Sequence, residues 1–344
     1  VKSHLNTLYV TTDGAYLARR GETVLVRVEK QTKLQLPVHT IESIVSLARV
    51  GVSPSLMKLA GERGIAISLC DGHGRFQARI SGFTGGNVLL RREQYRRADD
   101  DARSAEVARA VVAGKIANGR QVLLRFGRDA DANAPGRAEV ARAADGLAAS
   151  LRSLDAKPDL DRTRGIEGDA ANVYFSVFDH LLTHQKDTFR FTSRNRRPPL
   201  DPVNCLLGFL YAVLAHDCRS ALECVGLDPA VGFLHRDRPG RPGLALDLME
   251  EFRPVLVDRL VMSLVNRGQV NAADFKTAEN GAVTLTDAAR RSVLVAWQKR
   301  KQSTIVHPFI GEKVTLGLVP HLQARLLARH LRGDLDAYPP FIWR

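Results

Sequence analysis

Phe76-Gln77-Ala78-Arg79-Ile80, then Gly85-Gly86, then Val88-Leu89-Leu90-Arg91-Arg92-Glu93-Gln94-Tyr95-Arg96-Arg97: across this short stretch the chain changes texture. The first run is a strand candidate and the last reads as a helix, with a glycine pair between them. Upstream, residues 5–48 alternate in the β manner. Thr23 to Glu29 and Lys33 to Leu36 are strand-like, with turn signals at Asp13-Gly14 and Arg20-Gly21. Ser53 and Pro54 have the chemistry of an N-cap and a first helical position ahead of a short helix. Ile65 to Cys70 is a buried-strand candidate, followed by a turn at Asp71-Gly72-His73-Gly74.

Downstream, helical patterns dominate: 102–126, 140–154, 162–183, 202–216, 246–266, 286–300 and 316–331, with a possible hairpin at 276–283 and a polar link at 129–137. The expected fold is α+β. A small β-rich domain, 1–85, precedes a larger helical domain, 86–344.

The 344 residues are enough for two domains, and 44% hydrophobic content is ample for packed cores. The formal net charge is +13, which favours an anionic partner. The excess is +6 over residues 1–100 and +7 over the rest, so the charge belongs to basic faces, not to one basic arm. Cys70, Cys205, Cys218 and Cys224 form no CxxC pair, which argues against a zinc site. With no signal peptide or membrane-length apolar run apparent, the expectation is a cytoplasmic protein with free buried thiols.

Four segments carry candidate chemistry. Glu167 lies in a helical pattern beside the small residues Ala170 and Ala171, which let a ligand or another helix approach. The pattern also fits a solvated helix carboxylate. His235 ends the apolar run Val231-Gly232-Phe233-Leu234 at the edge of a basic Gly/Pro loop, where an imidazole serves as metal ligand, proton shuttle or plain hydrogen-bonding group. Asp247 and Glu250, three apart, share one helix face with Arg253, and Glu251 points about 100° away. An acidic helix start is the plainer explanation of these carboxylates. In the fourth segment, Pro198-Pro199 stiffens a loop that Asp201 and Pro202 join to the next helix. Arg194, Arg196 and Arg197 would then sit on a rigid platform, with Lys186 and Arg190 upstream. Tyr174 and Tyr211 suit either base stacking or core packing. Two carboxylates and an imidazole can bind a hard divalent cation with coordination positions left open, and a basic loop beside them can hold a phosphate backbone.

Taken together, Glu167-Gly168-Asp169-Ala170-Ala171, Arg197-Pro198-Pro199-Leu200-Asp201-Pro202-Val203-Asn204, Gly232-Phe233-Leu234-His235 and Leu246-Asp247-Leu248-Met249-Glu250 resemble the CRISPR-associated endonuclease of the spacer-acquisition module, its integrase subunit. The order of the motifs and the β-then-helical layout match across nearly the whole chain, and the details look most like the type I-C variant. Cys205 stands where the family often has a small residue such as Ala. The resemblance implies Glu167, His235 and Glu250 as catalytic ligands of Mg²⁺ or Mn²⁺, with Asp247 as an assisting acid. It further implies a homodimer through the β domains and two dimers bridged by a small partner subunit as a heterohexamer. The implied substrate is double-stranded DNA, both protospacer and CRISPR repeat. Lys186, Arg190, Arg194, Arg196, Arg197 and Arg253 are the candidate DNA-contacting residues. Two rival readings remain: a structure-specific metal nuclease in repair, and a catalytically silent DNA-binding scaffold.

Overall fold

Alternation in the first 80 residues becomes two four-stranded sheets. The computed structural model describes residues 7–41, 43–46, 48–70, 76–82, 88–131 and 134–343. The strands are β1 (Thr7–Val10), β2 (Ala15–Arg20), β3 (Thr23–Val28), β4 (Gln31–Pro37), β5 (Ser43–Ser46) and β6 (Val50–Val52), then β7 (Ala66–Cys70) and β8 (Phe76–Ile80) after helix α1 (Pro54–Glu62). One sheet has the order β4-β3-β2-β6 and the other β1-β5-β7-β8. The β2–β3 and β3–β4 pairs are antiparallel, whereas β1–β5 and β5–β7 are parallel. Leu17, Val24, Val26, Ile44 and Ile67 from the strands and Leu56 and Leu59 from α1 form the core of this part. Full burial of one such side chain contributes about 1.5–3 kcal/mol. Ser53 accepts a hydrogen bond from the Leu56 N–H and Pro54 opens α1, as the sequence requires.

The chain divides into two compact units, residues 1–86 and 87–344. The Asp71–Gly74 turn and the glycines at 85 and 86 lie outside the described residues. The β-rich first unit and helical second unit make the architecture α+β, as the texture predicted.

The second unit comprises α2 (Val88–Ala98), α3 (Asp101–Asp129), α4 (Arg137–Asp155), α5 (Leu160–Ser176), α6 (Pro202–Cys224), α7 (Gly243–Glu250), α8 (Arg259–Asn266), α9 (Asp287–Gln302) and α10 (Val319–Leu331). Short hairpins pair β9 (Phe275–Thr277) with β10 (Val283–Leu285), and β11 (Thr304–Val306) with β12 (Lys313–Thr315). The long helix α3 packs against α4, α5 and α7 and so reaches every helix that carries a candidate acid. Gly114 lets that packing close: a Cβ there would lie 3.1 Å from both Glu251 Cγ and Pro340 Cβ.

Several sequence expectations need correction. The helix expected over 246–266 is broken into α7, a π-helical turn at Arg253–Asp258 and α8. Pro254 has no N–H and its ring crowds the preceding turn, so regular α geometry cannot run through it. The helix expected over 162–183 ends at Ser176 and gives way to a 3₁₀ turn at Phe178–Leu181. Asp179 in that turn is pulled aside, accepting hydrogen bonds from Lys186 Nζ and the Phe191 N–H. Helix α6 continues to Cys224 because Cys218, Ala221 and Leu222 extend its buried side. At 23 residues, with an 18-residue window of mean hydropathy 1.3, it is long and apolar enough to cross a membrane, contrary to the sequence reading, yet it packs as a core helix with Leu206, Leu207, Leu210 and Leu214 fully buried. Cys205 and Cys218 are buried free thiols, but Cys224, at the helix end, is exposed.

Candidate active site

Four segments distant in sequence meet around one ammonium group. Lys115 on α3 touches the Glu167 carboxylate of α5 and lies 2.7 Å from Glu250 Oε2 at the end of α7. Arg253 Nη1 approaches Glu250 Oε1 at 3.1 Å, and His235 Nε2 is 3.9 Å from that oxygen. Glu167 and Glu250 are therefore joined through Lys115, and His235 reaches them through Glu250.

Local structure explains each placement. Asp159 caps α5 by accepting from the Arg162 N–H at 2.8 Å, which sets Glu167 two turns into the helix. Asp247 organises the His235 loop: its carboxylate accepts from the N–H groups of Phe233, Leu234 and His235 at 2.6–3.0 Å. The same carboxylate holds His235 Nδ1 at 2.6 Å, leaving Nε2 directed toward Glu250. Such a carboxylate–imidazole pair fixes the ring and the nitrogen available for ligation. Gly232 is required here, because a Cβ would come within 2.7 Å of Asp247 Oδ2. Both Asp247 oxygens are occupied within the protein, so this residue positions the imidazole and does not face the Lys115 ammonium.

Electrostatics separate the acids. Burial works to raise the Glu250 carboxyl, but the Arg253 and Lys115 cations, with His235 beside them, outweigh it and hold it at about 2. Its neighbour Glu251 is pushed up to about 8 by burial, against hydrogen bonds from Tyr338, Phe341 and Gln323. Glu251 thus anchors the C-terminal segment: Tyr338 Oη and the Phe341 N–H each donate to it at 2.6 Å. Behind the site lies a cavity of about 30 Å³ lined by Lys115, Ala170, Ala171, Tyr174, Tyr211 and Asp258, room for about one water. Tyr211 donates to Asp258 Oδ1 at 2.6 Å, and the buried Tyr174 hydroxyl faces the same carboxylate. Burial pushes Asp258 up to about 6, against the Tyr211 and Tyr174 hydroxyls and the Arg253 and Arg194 charges.

The donor set suits a hard divalent cation: two carboxylates and one imidazole, with Glu250 buried and held ionised. Among the described residues no three His, Cys, Asp or Glu side chains form a ready cage. The Lys115 charge stands between the two acids instead. Lys115 escaped the sequence reading, although a signal was present: a lone lysine on the stripe Ala108, Val111, Val112, Ile116 and Gly119 of α3, all buried.

The basic platform is built as its loop chemistry suggested. Asp201 accepts from the Asn204 N–H and Pro202 opens α6. The buried Asn204 amide accepts from Arg194 and the Asn195 N–H, and donates to Ser193 O and Asp201. The Arg197–Pro198 bond is cis. Arg190, Arg196 and Arg197 are exposed, as is Lys186, which pairs with Asp179 at 2.8 Å. Arg194 and Arg253 are partly buried instead, with guanidinium carbons 5.4 and 4.9 Å from the Tyr211 ring centre.

The chain is similar to known proteins along its whole length. "CRISPR-associated endonuclease Cas1 1" of Chlorobaculum tepidum is 51% identical over 344 residues, covering 100% of both chains. "CRISPR-associated endonuclease Cas1 2" of Rhodospirillum rubrum is 53% identical over 347 residues, again 100% of both. A chain of a solved Cas6-RT-Cas1–Cas2 complex shares the fold, with a TM-score of 0.81 at 22% identity over 100% of this chain and 36% of that one. The family described as "CRISPR associated protein Cas1" matches residues 8–299, and with full-length relatives above half identity the chain belongs to that family.

Proposed function

We propose that this chain is a metal-dependent DNA endonuclease and integrase that joins protospacer 3′-hydroxyl ends into a CRISPR array by transesterification. The observation that carries the reading is the meeting of Glu167 and Glu250 at one cation, with His235 Nε2 3.9 Å from Glu250. Glu167, His235 Nε2 and Glu250 would hold Mg²⁺ or Mn²⁺, which supplies Lewis acidity toward a phosphoryl oxygen. Asp247 keeps the imidazole in the ligating orientation. Lys115 and Arg253 supply positive charge where the phosphate develops extra negative charge in the transition state. The 3′-oxygen of the donor strand forms a new P–O bond as the P–O3′ bond of the target strand breaks, and the departing oxygen takes up a proton. With water as the nucleophile, the same site hydrolyses DNA.

The motif details support the type I-C variant. The family likeness supports dimerisation through the β-rich unit, catalysis in the helical unit, and two dimers bridged by a small Cas2-like subunit into a heterohexamer on protospacer and repeat DNA. Arg190, Arg196, Arg197 and Lys186, all exposed, are suited to neutralising backbone phosphates without reading bases.

One observation favours the silent-scaffold reading: the Lys115 ammonium already neutralises both carboxylates. Strand joining on a repeat-bearing supercoiled plasmid decides between them. Glu167→Ala, His235→Ala and Glu250→Ala are expected to abolish Mn²⁺-dependent joining while each retains duplex binding. Full activity in all three rejects the catalytic assignment, and cleavage without joining favours a repair nuclease.

A further inference from the structure

A second cationic cluster surrounds Trp343, separate from the carboxylates. The guanidinium carbons of Arg259 and Arg300 lie 5.0 and 5.8 Å from the Trp343 ring centre. Arg125, exposed on α3, is near enough for its charge to act on both Arg259 and Arg300. Burial and then the neighbouring Arg259 and Arg125 charges push the Arg300 guanidinium down to about 10. Arg259 is lowered in the same way, by burial and then by Arg125. The carboxylate that opposes them is Asp129, largely exposed and 3.2 Å from Arg125. Asp129 thus opposes Arg125 and Arg259, while the charges acting on Arg300 are those of the other two arginines.

The cluster is held in place. Arg300 donates to Val255 O at 2.9 Å, while its Nε is buried without a hydrogen bond. The Trp343 N–H of the backbone donates to Asn118 Oδ1 at 2.7 Å, and the fully buried Asn118 also donates to Glu251 O and Phe341 O. Repelling charges gathered on a fixed wall are stabilised when an anion binds between them.

Two elements connect this cluster to the carboxylate site. On α3, Lys115 serves the carboxylates and Arg125 the cluster, a separation of about 15 Å of helix rise. The segment 253–259 repeats the arrangement, with Arg253 beside Glu250 and Arg259 beside Trp343. At about 3.4 Å per phosphate along one strand, that distance spans about four nucleotides.

We propose that Arg259 and Arg300, lying over Trp343, together with Arg125 nearby on α3, form a phosphate-binding cradle for a DNA strand that leads away from the Glu167–His235–Glu250 site. The inference rests on the function proposed above. The guanidinium fork matches phosphate oxygens in pairs. Because guanidiniums already lie over the indole, Trp343 acts as a wall and no base preference is expected.

Tryptophan fluorescence tests the cradle in the full chain. The protein has two tryptophans, and Trp297 is fully buried, so a DNA-induced change reports on Trp343. A short duplex added in EDTA is expected to change the emission saturably, and W343F is expected to lose the response. Arg125→Ala, at an exposed position, and Arg259→Ala are each expected to weaken duplex binding and to lower the log K against log salt slope by about 1. Unchanged emission while anisotropy reports bound duplex, with wild-type salt slopes in both variants, overturns the cradle. So does a response to a polyglutamate peptide but not to duplex. Failure of strand joining with the Trp343 response intact rejects the catalytic reading and leaves the cradle standing.

Discussion

Lys115 Nζ stands 2.7 Å from Glu250 Oε2, so a lysine on α3 occupies the space between acids from two other helices. Both partners are largely buried, with Lys115 side-chain exposure of 14% and Glu250 of 3%. Charges this sequestered are tolerated only in mutual contact. The ammonium therefore preserves the site while competing for its ligands.

Lys115→Met is expected to lower metal-free stability by about 2 kcal/mol, less than a fully broken buried pair because Arg253 still neutralises Glu250. The variant should show a larger Mn²⁺-induced rise in Tm than the wild type. Thermal melts with and without Mn²⁺ measure both effects. A Mn²⁺ response no larger than the wild type's would show that lysine and metal do not compete.

Asp247→Asn removes the charge that orients His235 through the 2.6 Å Nδ1 contact. Mn²⁺ affinity is expected to fall about 10- to 100-fold. Titration calorimetry reads this directly, and an unchanged Kd would remove Asp247 from the ligand-positioning role.

Glu250 should contribute to acid unfolding. Its folded value, about 2, is below the ordinary 4.5, so the ionised folded form contributes stability above pH 4.5. That contribution is lost as pH falls from 4.5 toward 2. Denaturant titrations across this window should show a steeper loss in the wild type than in Glu250→Gln. Parallel curves would contradict the depressed value.

Asp258 has the opposite sign. Its folded value, about 6, lies above the ordinary 3.8, so the folded state binds the proton more tightly. Its stabilising contribution is full below pH 3.8 and declines as pH rises to about 6. Asp258→Asn should flatten this portion of the stability curve, and a curve that remains unchanged would place the titration elsewhere.

Asn204→Ala strips the platform of a buried amide that bonds Arg194, Asn195, Ser193 and Asp201. A loss of about 2 kcal/mol is expected, together with faster proteolysis within 193–201. Wild-type stability would mean that the loop holds itself without Asn204.

Much was legible in advance where the chemistry is local. Ser53 and Asp201 cap helices because a short oxygen-bearing side chain reaches the free N–H groups of the first turn, whatever surrounds it. The β-to-helical change follows from side-chain periodicity, another short-range property. Helix ends were less legible. The break at Pro254 and the extension of α6 to Cys224 depend on which neighbours cover each turn.

The chain alone determined most of its elements, though not all of their ends, together with its basic character and the identity of the acids and imidazole on offer. These follow from the composition and spacing of adjacent residues. The folded structure decided that Lys115 would join Glu167 and Glu250, that Asp247 would hold His235 instead of facing the shared cation, and that Trp343 would gather arginines. Each of those contacts spans elements far apart in sequence. Their geometry is set by helix packing and by the requirement that buried charges find partners, neither of which is encoded in local spacing.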